Sequence, residues 1–209
     1  MSRPIDMEKV KIIYERLIEE IRKHEPELLG KHRVFLLGSY REDLKNREGY
    51  SFRELLEMLR DEIKKCFKDV YPFLMDEITG KYSFLYELRR IFKFHEGFLG
   101  IVYFADTVIL IFDVAKTEER EVEVPSFGHI FEAELISMIS ELAKRTYVFA
   151  RKLKPEEVEK LPAYVPDIIY GSGAITFSST SEMIDMVLNL VDRRLKELRK
   201  KNCENQKEK

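Results

Sequence analysis

The chain has little of several features that would have fixed its class at once. Cysteine occurs only twice in 209 residues, as Cys66 in a helical pattern and Cys203 in a polar tail, which makes neither a disulfide framework nor a zinc site. The longest apolar stretch, 97–112, is interrupted by Asp106 and is too short to span a bilayer. The net charge is only −2, so no basic field favours nucleic acid. We therefore expect neither a membrane protein nor a nucleic-acid-binding protein.

Charged residues are abundant and spread along the chain. They make up 35% of it and recur every few positions over 1–24, so we expect no signal peptide. Much Lys, Glu and Arg beside little cysteine is typical of heat-adapted cytosolic proteins. A hydrophobic content of 44% is enough to bury a substantial core. The composition predicts a folded cytoplasmic protein with one main domain.

Short apolar segments alternate with amphipathic ones along the chain. The predicted strands are 33–37, 70–75, 107–112, 145–150 and 174–177. The predicted helices are 6–29, 51–68, 83–104, 127–143 and 180–200, with a helix or turn at 155–161. Strand 107–112 is uncharged, as a strand buried on both faces of a parallel sheet requires. The alternation predicts an α/β three-layer sandwich of the flavodoxin or Rossmann type, with a five-stranded parallel sheet of order 2-1-3-4-5.

Three parts are expected along the chain. Residues 1–30 form an N-terminal amphipathic helix packed on the body, 31–200 form a single α/β domain, and 201–209 form a polar flexible tail.

Between the first two strands, Ser51 and Glu54 have the spacing of a capping box, which predicts the start of a helix.

Polar residues follow the first three predicted strands, and a parallel sheet brings such positions to one edge, where ligands bind. The substrate-binding candidates are Gly38, Ser39, Tyr40, Arg41, Asp76, Asp113, Ser126 and Gly128. An arginine beside a glycine turn suits a phosphate or carboxylate. Glu132, one turn inside the next predicted helix, suits nucleophilic or acid–base work at a sugar carbon.

Each of these positions also has a structural interpretation. Gly38 fits a turn that ends a strand, and Asp113 fits the cap of a turn. Arg41 fits a solvated loop charge, and Glu132 fits a favourable position on the helix dipole. The sequence leaves both interpretations open at each position.

The common cofactor motifs are missing. Neither Walker spacing nor Gly-x-Gly-x-x-Gly occurs, and the four histidines do not have metal-ligand spacing. No Cys–His or Ser–His–Asp arrangement is supported either. We predict no metal and no cofactor.

Four short segments within 32–195 form a recognisable pattern. The first strand ends in Gly38, Ala105-Asp106 precedes an apolar strand that ends in Asp113, and Gly128-x-x-x-Glu132 opens a helix. Ile-Thr-Phe-Ser-Ser-Thr-Ser-Glu-Met, at 175–183, covers the last strand and the start of the last helix. This pattern resembles the nucleoside 2-deoxyribosyltransferase-like superfamily and its Toll/interleukin-receptor-like relatives.

The resemblance implies cleavage of an N-glycosidic bond. Glu132 would be the nucleophile, and Glu96, which precedes the pair Gly100-Ile101, would donate a proton to the base. The chain departs from the family at Ser126-Phe127, where an acid is usual, and at Ala133-Glu134, where the family often continues Glu-x-Gly. A different substrate, or a lost activity on a retained scaffold, would account for these departures.

The sequence therefore leaves three functional hypotheses open. The first is an enzyme that cleaves a nucleoside or nucleotide, and the second is a sensor that binds a nucleotide-derived small molecule at the same edge without turnover. The third is a structural protein that assembles, for instance as a homo-oligomer, through its terminal helices. The polar edge favours the first two, because the third leaves it unexplained.

Overall fold

The structure is a computed structural model that describes residues 5–82, 94–115, 136, 139–159, 161 and 173–207. Its elements in chain order are α1 (Met7–His24), a 3-10 turn (Pro26–Gly30), β1 (His32–Leu37), α2 (Phe52–Cys66), β2 (Val70–Phe73), α3 (Met75–Lys81), α4 (Phe94–Phe104), β3 (Thr107–Phe112), α5 (Ser140–Ala143), β4 (Thr146–Arg151), α6 (Pro155–Val158), β5 (Ile175–Phe177) and α7 (Thr180–Lys207). Among the helices of these residues, none has both the length and the apolar character needed to cross a membrane.

The five strands form one parallel sheet in the order β2-β1-β3-β4-β5, which confirms the predicted fold class and strand order. All six residues of β3, the central strand, are buried, as its uncharged sequence predicts. Strand β2 lies at an edge, where Pro72 is tolerated because its missing N–H faces no further strand.

Alternate residues of the strands face two separate helical layers. Val34 and Leu36 belong to the core beneath α2 and α7, whereas Phe35 and Leu37 belong to the core beneath α1 and α4. This alternation follows from the period of two along a strand, and it places a helical layer on each face of the sheet. The molecule is therefore a three-layer sandwich.

Helices α1 and α4 approach each other closely. A Cβ atom at Gly100 would lie 2.5 Å from Cγ2 of Ile13, so only glycine allows this distance. One turn earlier on both helices, Nζ of Lys9 lies 4.0 Å from the carboxylate of Glu96. The two helices therefore run in the same direction, and α1 packs along the length of α4.

The predicted capping box at the start of α2 is confirmed. The hydroxyl of Ser51 accepts a hydrogen bond from the Glu54 N–H at 3.2 Å, and the Glu54 carboxylate accepts one from the Ser51 N–H at 2.7 Å. Two donors at the start of the helix are satisfied in this way.

The segment after β2 differs from the prediction of a strand to residue 75 and a turn at Gly80. It forms helix α3, with Gly80 inside it. Two N–H groups at its start have acceptors, because Leu74 donates to the Glu77 carboxylate at 2.9 Å and Met75 donates to the Tyr40 hydroxyl at 3.0 Å. The second of these acceptors comes from a distant loop, which the local sequence does not reveal.

Two predicted helix limits were also wrong. The predicted helix 127–143 is interrupted at Ile139, which is extended at φ −111° and ψ 101°, and α5 begins only at Ser140. Residues 127–135 and 137–138 lie outside the described residues. The last helix continues to Lys207 instead of ending near Lys200, so most of the predicted flexible tail is helical. Lys, Glu and Gln in this segment are good helix formers.

Candidate functional site at the carboxyl edge of the sheet

Five polar residues meet above the carboxyl ends of β3 and β4, and we call this group the Arg151 network. It comprises Asn46, Glu48, Asp113, Arg151 and Thr180. Asp113 follows β3, Arg151 ends β4 and Thr180 begins α7, while the other two residues come from the loop between β1 and α2. The chain thus brings together positions more than a hundred residues apart.

Arg151 lies at the centre of this network and is only 2% exposed. Its Nε and Nη2 donate to the two oxygens of Asp113, both at 2.8 Å. Its Nη1 donates to Glu48 and to the carbonyl of Ser178, each at 2.8 Å, and Nη2 also donates to Glu48 at 3.2 Å. Burial opposes the charge, but hydrogen bonds to the two carboxylates outweigh it and raise the pKa of Arg151. The guanidinium therefore stays charged with all of its donors satisfied.

Glu48 is the more exposed carboxylate of the network. It accepts from the Thr180 N–H at 3.0 Å and from the Thr180 hydroxyl, in addition to its bonds from Arg151. The Arg151 hydrogen bond lowers the pKa of Glu48 to about 2, against the opposing effect of burial. Glu48 is therefore an anion across the physiological pH range.

The loop after β1 forms a strap, residues 45–51, across this edge of the sheet. Its two ends pair in an antiparallel bridge, and Asn46 pairs with Ala115 just beyond β3. Gly49 makes the turn at a φ of +88°, a conformation that favours glycine. The carbonyl oxygen of the Asn46 side chain accepts from the Glu48 N–H at 3.0 Å, which stiffens the turn.

The amide nitrogen of Asn46 fixes the strap to the sheet. It donates to the Asp113 carboxylate at 3.1 Å and to the Thr180 hydroxyl at 3.2 Å. The strap is thus attached through two side chains, one amide and one carboxylate, to β3, β4 and α7.

The predicted residues after β1 lie at the same edge. A Cβ atom at Gly38 would meet Cδ2 of Leu56 at 3.0 Å, so this glycine allows close packing on α2. Ser39 is buried, and its hydroxyl accepts from the Arg41 N–H at 3.3 Å. Arg41 also forms an exposed ion pair with Asp43.

Tyr40 and Asp76 lie together on the β2 side of this edge. Nη1 of Arg53 lies 2.6 Å from the half-exposed Asp76 carboxylate, and its guanidinium lies 5.5 Å from the centroid of the Tyr40 ring. The Tyr40 hydroxyl in turn binds the start of α3 at Met75. These contacts join the loop after β1 and the first turn of α2 to the first turn of α3.

Asp113 has a different environment from Asp76. Its side chain is fully buried, and its oxygens accept from Arg151, Asn46 and the Val114 N–H. The structure therefore gives Asp113 an architectural role within the network, where the sequence suggested a ligand contact or a turn cap.

Glu96 lies in the first turn of α4 and is only 1% exposed. Because α4 leads into the amino end of β3, its first turn lies towards the carboxyl edge of the sheet. Ser126, Gly128 and Glu132 lie outside the described residues. Of the two predicted catalytic acids, the described residues therefore include Glu96 alone.

Sequence reasoning missed Asn46, Glu48, Arg151 and Thr180 as members of one network. An arginine that ends an apolar strand, and an Asn-x-Glu-Gly turn in a long loop, were the available signals. Within the described ranges, no group of three His, Cys, Asp or Glu side chains could hold a metal ion.

Comparison with known proteins does not assign the chain to a family. No protein-family model matches it, and a search of curated proteins also found no match.

Proposed function

We propose that the protein binds a nucleoside or nucleotide in the crevice between β1 and β3 and cleaves its N-glycosidic bond. The observation that carries the proposal is the buried carboxylate of Glu96, 1% exposed, in the first turn of α4. In open α/β sheets, ligands bind at the carboxyl edge where the strand order reverses, which here is the step from β1 to β3.

Two glutamates have the catalytic roles in this proposal. With a nucleoside or nucleoside monophosphate, Glu132 attacks the anomeric carbon as a carboxylate while Glu96 donates a proton to the departing base, so that a glycosyl-enzyme ester and a neutral base result; the base of NAD departs neutral and needs no proton. Water, or a second base in a transferase, then displaces Glu132 and restores both residues. The role of Glu132 rests on the resemblance of Gly128-x-x-x-Glu132 to the family pattern.

The position of the Arg151 network supports this choice of crevice. The strap covers the edge above β3 and β4, whereas Ser39, Tyr40 and Arg41 directly follow β1. A ligand at the β1 side meets a hydroxyl, an aromatic ring and a guanidinium, which suit a sugar, a base and a phosphate.

Release of free base tests the proposal directly. Nucleosides, nucleoside monophosphates and NAD are incubated with the protein, and the released base is measured by chromatography. We expect Glu132→Gln to reduce release to background and Glu96→Gln to reduce kcat by about 10²–10⁴-fold. Glu134→Gln and Glu62→Gln are the matched controls, and both should retain activity. Base release that survives both catalytic substitutions would refute the assignment of the two acids.

A non-catalytic sensor of the same ligands is the second candidate. The observation in its favour is that Asp76 and Asp113, the two aspartates predicted at this edge, are each ion-paired with an arginine. Both carboxylates are thus engaged in structural contacts, as expected where no second catalytic acid is needed. Calorimetry separates the two candidates, since a sensor binds a member of the panel and releases no base from it.

A further inference from the structure

The carboxylate of Glu48 occupies a position that has the features of an anion-binding site. Both Nη atoms of Arg151 point at it, and the N–H and hydroxyl of Thr180 donate to it from the start of the long helix α7. We call these donor groups of Arg151 and Thr180 the cradle. A buried guanidinium, a hydroxyl and a helix amino terminus converge there on a single anion.

The two carboxylates bound to Arg151 are not equivalent. Asp113 belongs to the sheet, its side chain is fully buried, and it engages Nε and Nη2. Glu48 belongs to the strap, and its side chain is 31% exposed. Asp113 already balances the charge of the guanidinium, so Glu48 is the anion that another anion can replace.

We propose that the cradle is a phosphate-binding site that the Glu48 carboxylate occupies when no phosphate is bound. A phosphate group that binds there displaces Glu48 and so releases the strap. A phosphate oxygen pair can accept the same bonds from Arg151 and Thr180 that the Glu48 carboxylate accepts. The dianion also interacts more strongly with the positive end of α7.

Competition between Glu48 and phosphate for the cradle determines the expected affinity for phosphate. A ligand that binds only when Glu48 has left the cradle has its apparent affinity reduced by the fraction of molecules in that state. Removal of the carboxylate abolishes this penalty, so a Glu48 variant should bind phosphate more tightly than the native chain. The inference does not require glycosidic cleavage, and inorganic phosphate alone is a sufficient probe.

Calorimetric titration with inorganic phosphate is the first test. We expect Glu48→Ala and Glu48→Gln to bind phosphate with a Kd at least about tenfold lower than that of the native protein. Glu157→Ala removes another acid that contacts the strap, through Arg47, and should leave the Kd unchanged. Adding Thr180→Val to Glu48→Ala should abolish the gain. Folded Glu48 variants with native phosphate affinity would overturn the proposal.

Hydrogen–deuterium exchange on the native protein is the second test, and it needs no variant. The amides of Glu48 and Tyr50 donate to the Asn46 side chain within the closed strap. Saturating inorganic phosphate should accelerate exchange over residues 45–51, and a nucleoside monophosphate should do the same if its phosphate uses the cradle. Unchanged exchange at saturating phosphate would show that Glu48 is a permanent structural contact. Neither test measures base release, so a failure of the proposed glycosidic cleavage can be distinguished from a failure of the proposed phosphate site.

Discussion

An arginine–aspartate pair joins neighbouring strands at each end of the sheet, but the two pairs differ in their exposure to solvent. At each end an arginine and an aspartate join neighbouring strands through two hydrogen bonds, Arg33 with Asp106 at the amino end and Arg151 with Asp113 at the carboxyl end. The carboxyl-end pair is fully buried, whereas the amino-end side chains are 17% and 30% exposed. The carboxyl end is therefore a closed network, and the amino end is a partly hydrated one.

The amino end also has polar atoms without partners. Nδ1 of His32 and Nε of Arg145 are buried and have no hydrogen-bond partner within the described part of the chain. Nε2 of His32 is 3.0 Å from the Thr107 hydroxyl, and burial lowers the pKa of this histidine despite the opposing effect of Asp106. The carboxyl-end pair is the more deeply buried of the two, so the comparison predicts that stability depends more on that pair.

The largest effect is expected from Arg151→Met. The substitution leaves Asp113 as a buried charge without its partner, which should lower the free energy of unfolding by about 3–5 kcal/mol. Urea-induced unfolding measures the change. Arg199→Met, which removes an exposed ion pair with Asp69, is the control and should cost less than about 1 kcal/mol. Equal effects for the two substitutions would contradict the closed-network description.

A smaller effect is expected from Arg33→Met at the amino end. Asp106 keeps its hydrogen bond from the Arg33 backbone N–H at 2.9 Å and remains partly hydrated, so the loss should be about 1.5–3 kcal/mol. The same urea titration applies, with Lys11→Met at the exposed Lys11–Glu15 pair as control. If Arg33→Met destabilises as much as Arg151→Met, the two ends are equivalent and the comparison fails.

The amino end should also respond to mild acid. His32 has a lowered pKa in the folded state, so the unfolded chain takes up its proton first as the pH falls below about 6.5. The contribution of His32 to stability is thus complete above that pH and is lost between it and the lowered folded pKa. Thermal unfolding from pH 8 to 5 should show less pH dependence in His32→Gln, and native pH dependence in the exposed control His24→Gln. An unaltered profile in His32→Gln would exclude this residue as the cause.

The carboxyl end should respond only to stronger acid. The pKa of Glu48 falls from 4.5 to about 2 on folding, chiefly because of Arg151. Its contribution is therefore present above pH 4.5 and is lost as the pH falls towards 2. Glu48→Gln should flatten the stability profile in that window, whereas Glu62→Gln, a control whose side chain is 40% exposed, should not. A change confined to pH 5–7 would assign the effect to another group.

The sheet was predictable because its signals are local. The uncharged β3 segment marks a strand buried on both faces, and Ser51 with Glu54 marks the start of α2 within four residues. The Arg151 network was not predictable, because Glu48 and Arg151 are 103 positions apart and only the folded chain brings them together. The same holds for α3, whose first turn depends on Tyr40. The catalytic roles of Glu96 and Glu132 both stay predictions.

The contact between Gly100 and Ile13 has a consequence for the first helix. At Gly100, α1 fits against α4 with no space for a methyl group, and one turn earlier Lys9 of α1 lies 4.0 Å from Glu96, so α1 covers this part of α4. A chain shortened to begin at β1 would uncover the apolar side of α4 and leave that acid facing water. Helix α1 therefore shields the proposed proton donor from solvent.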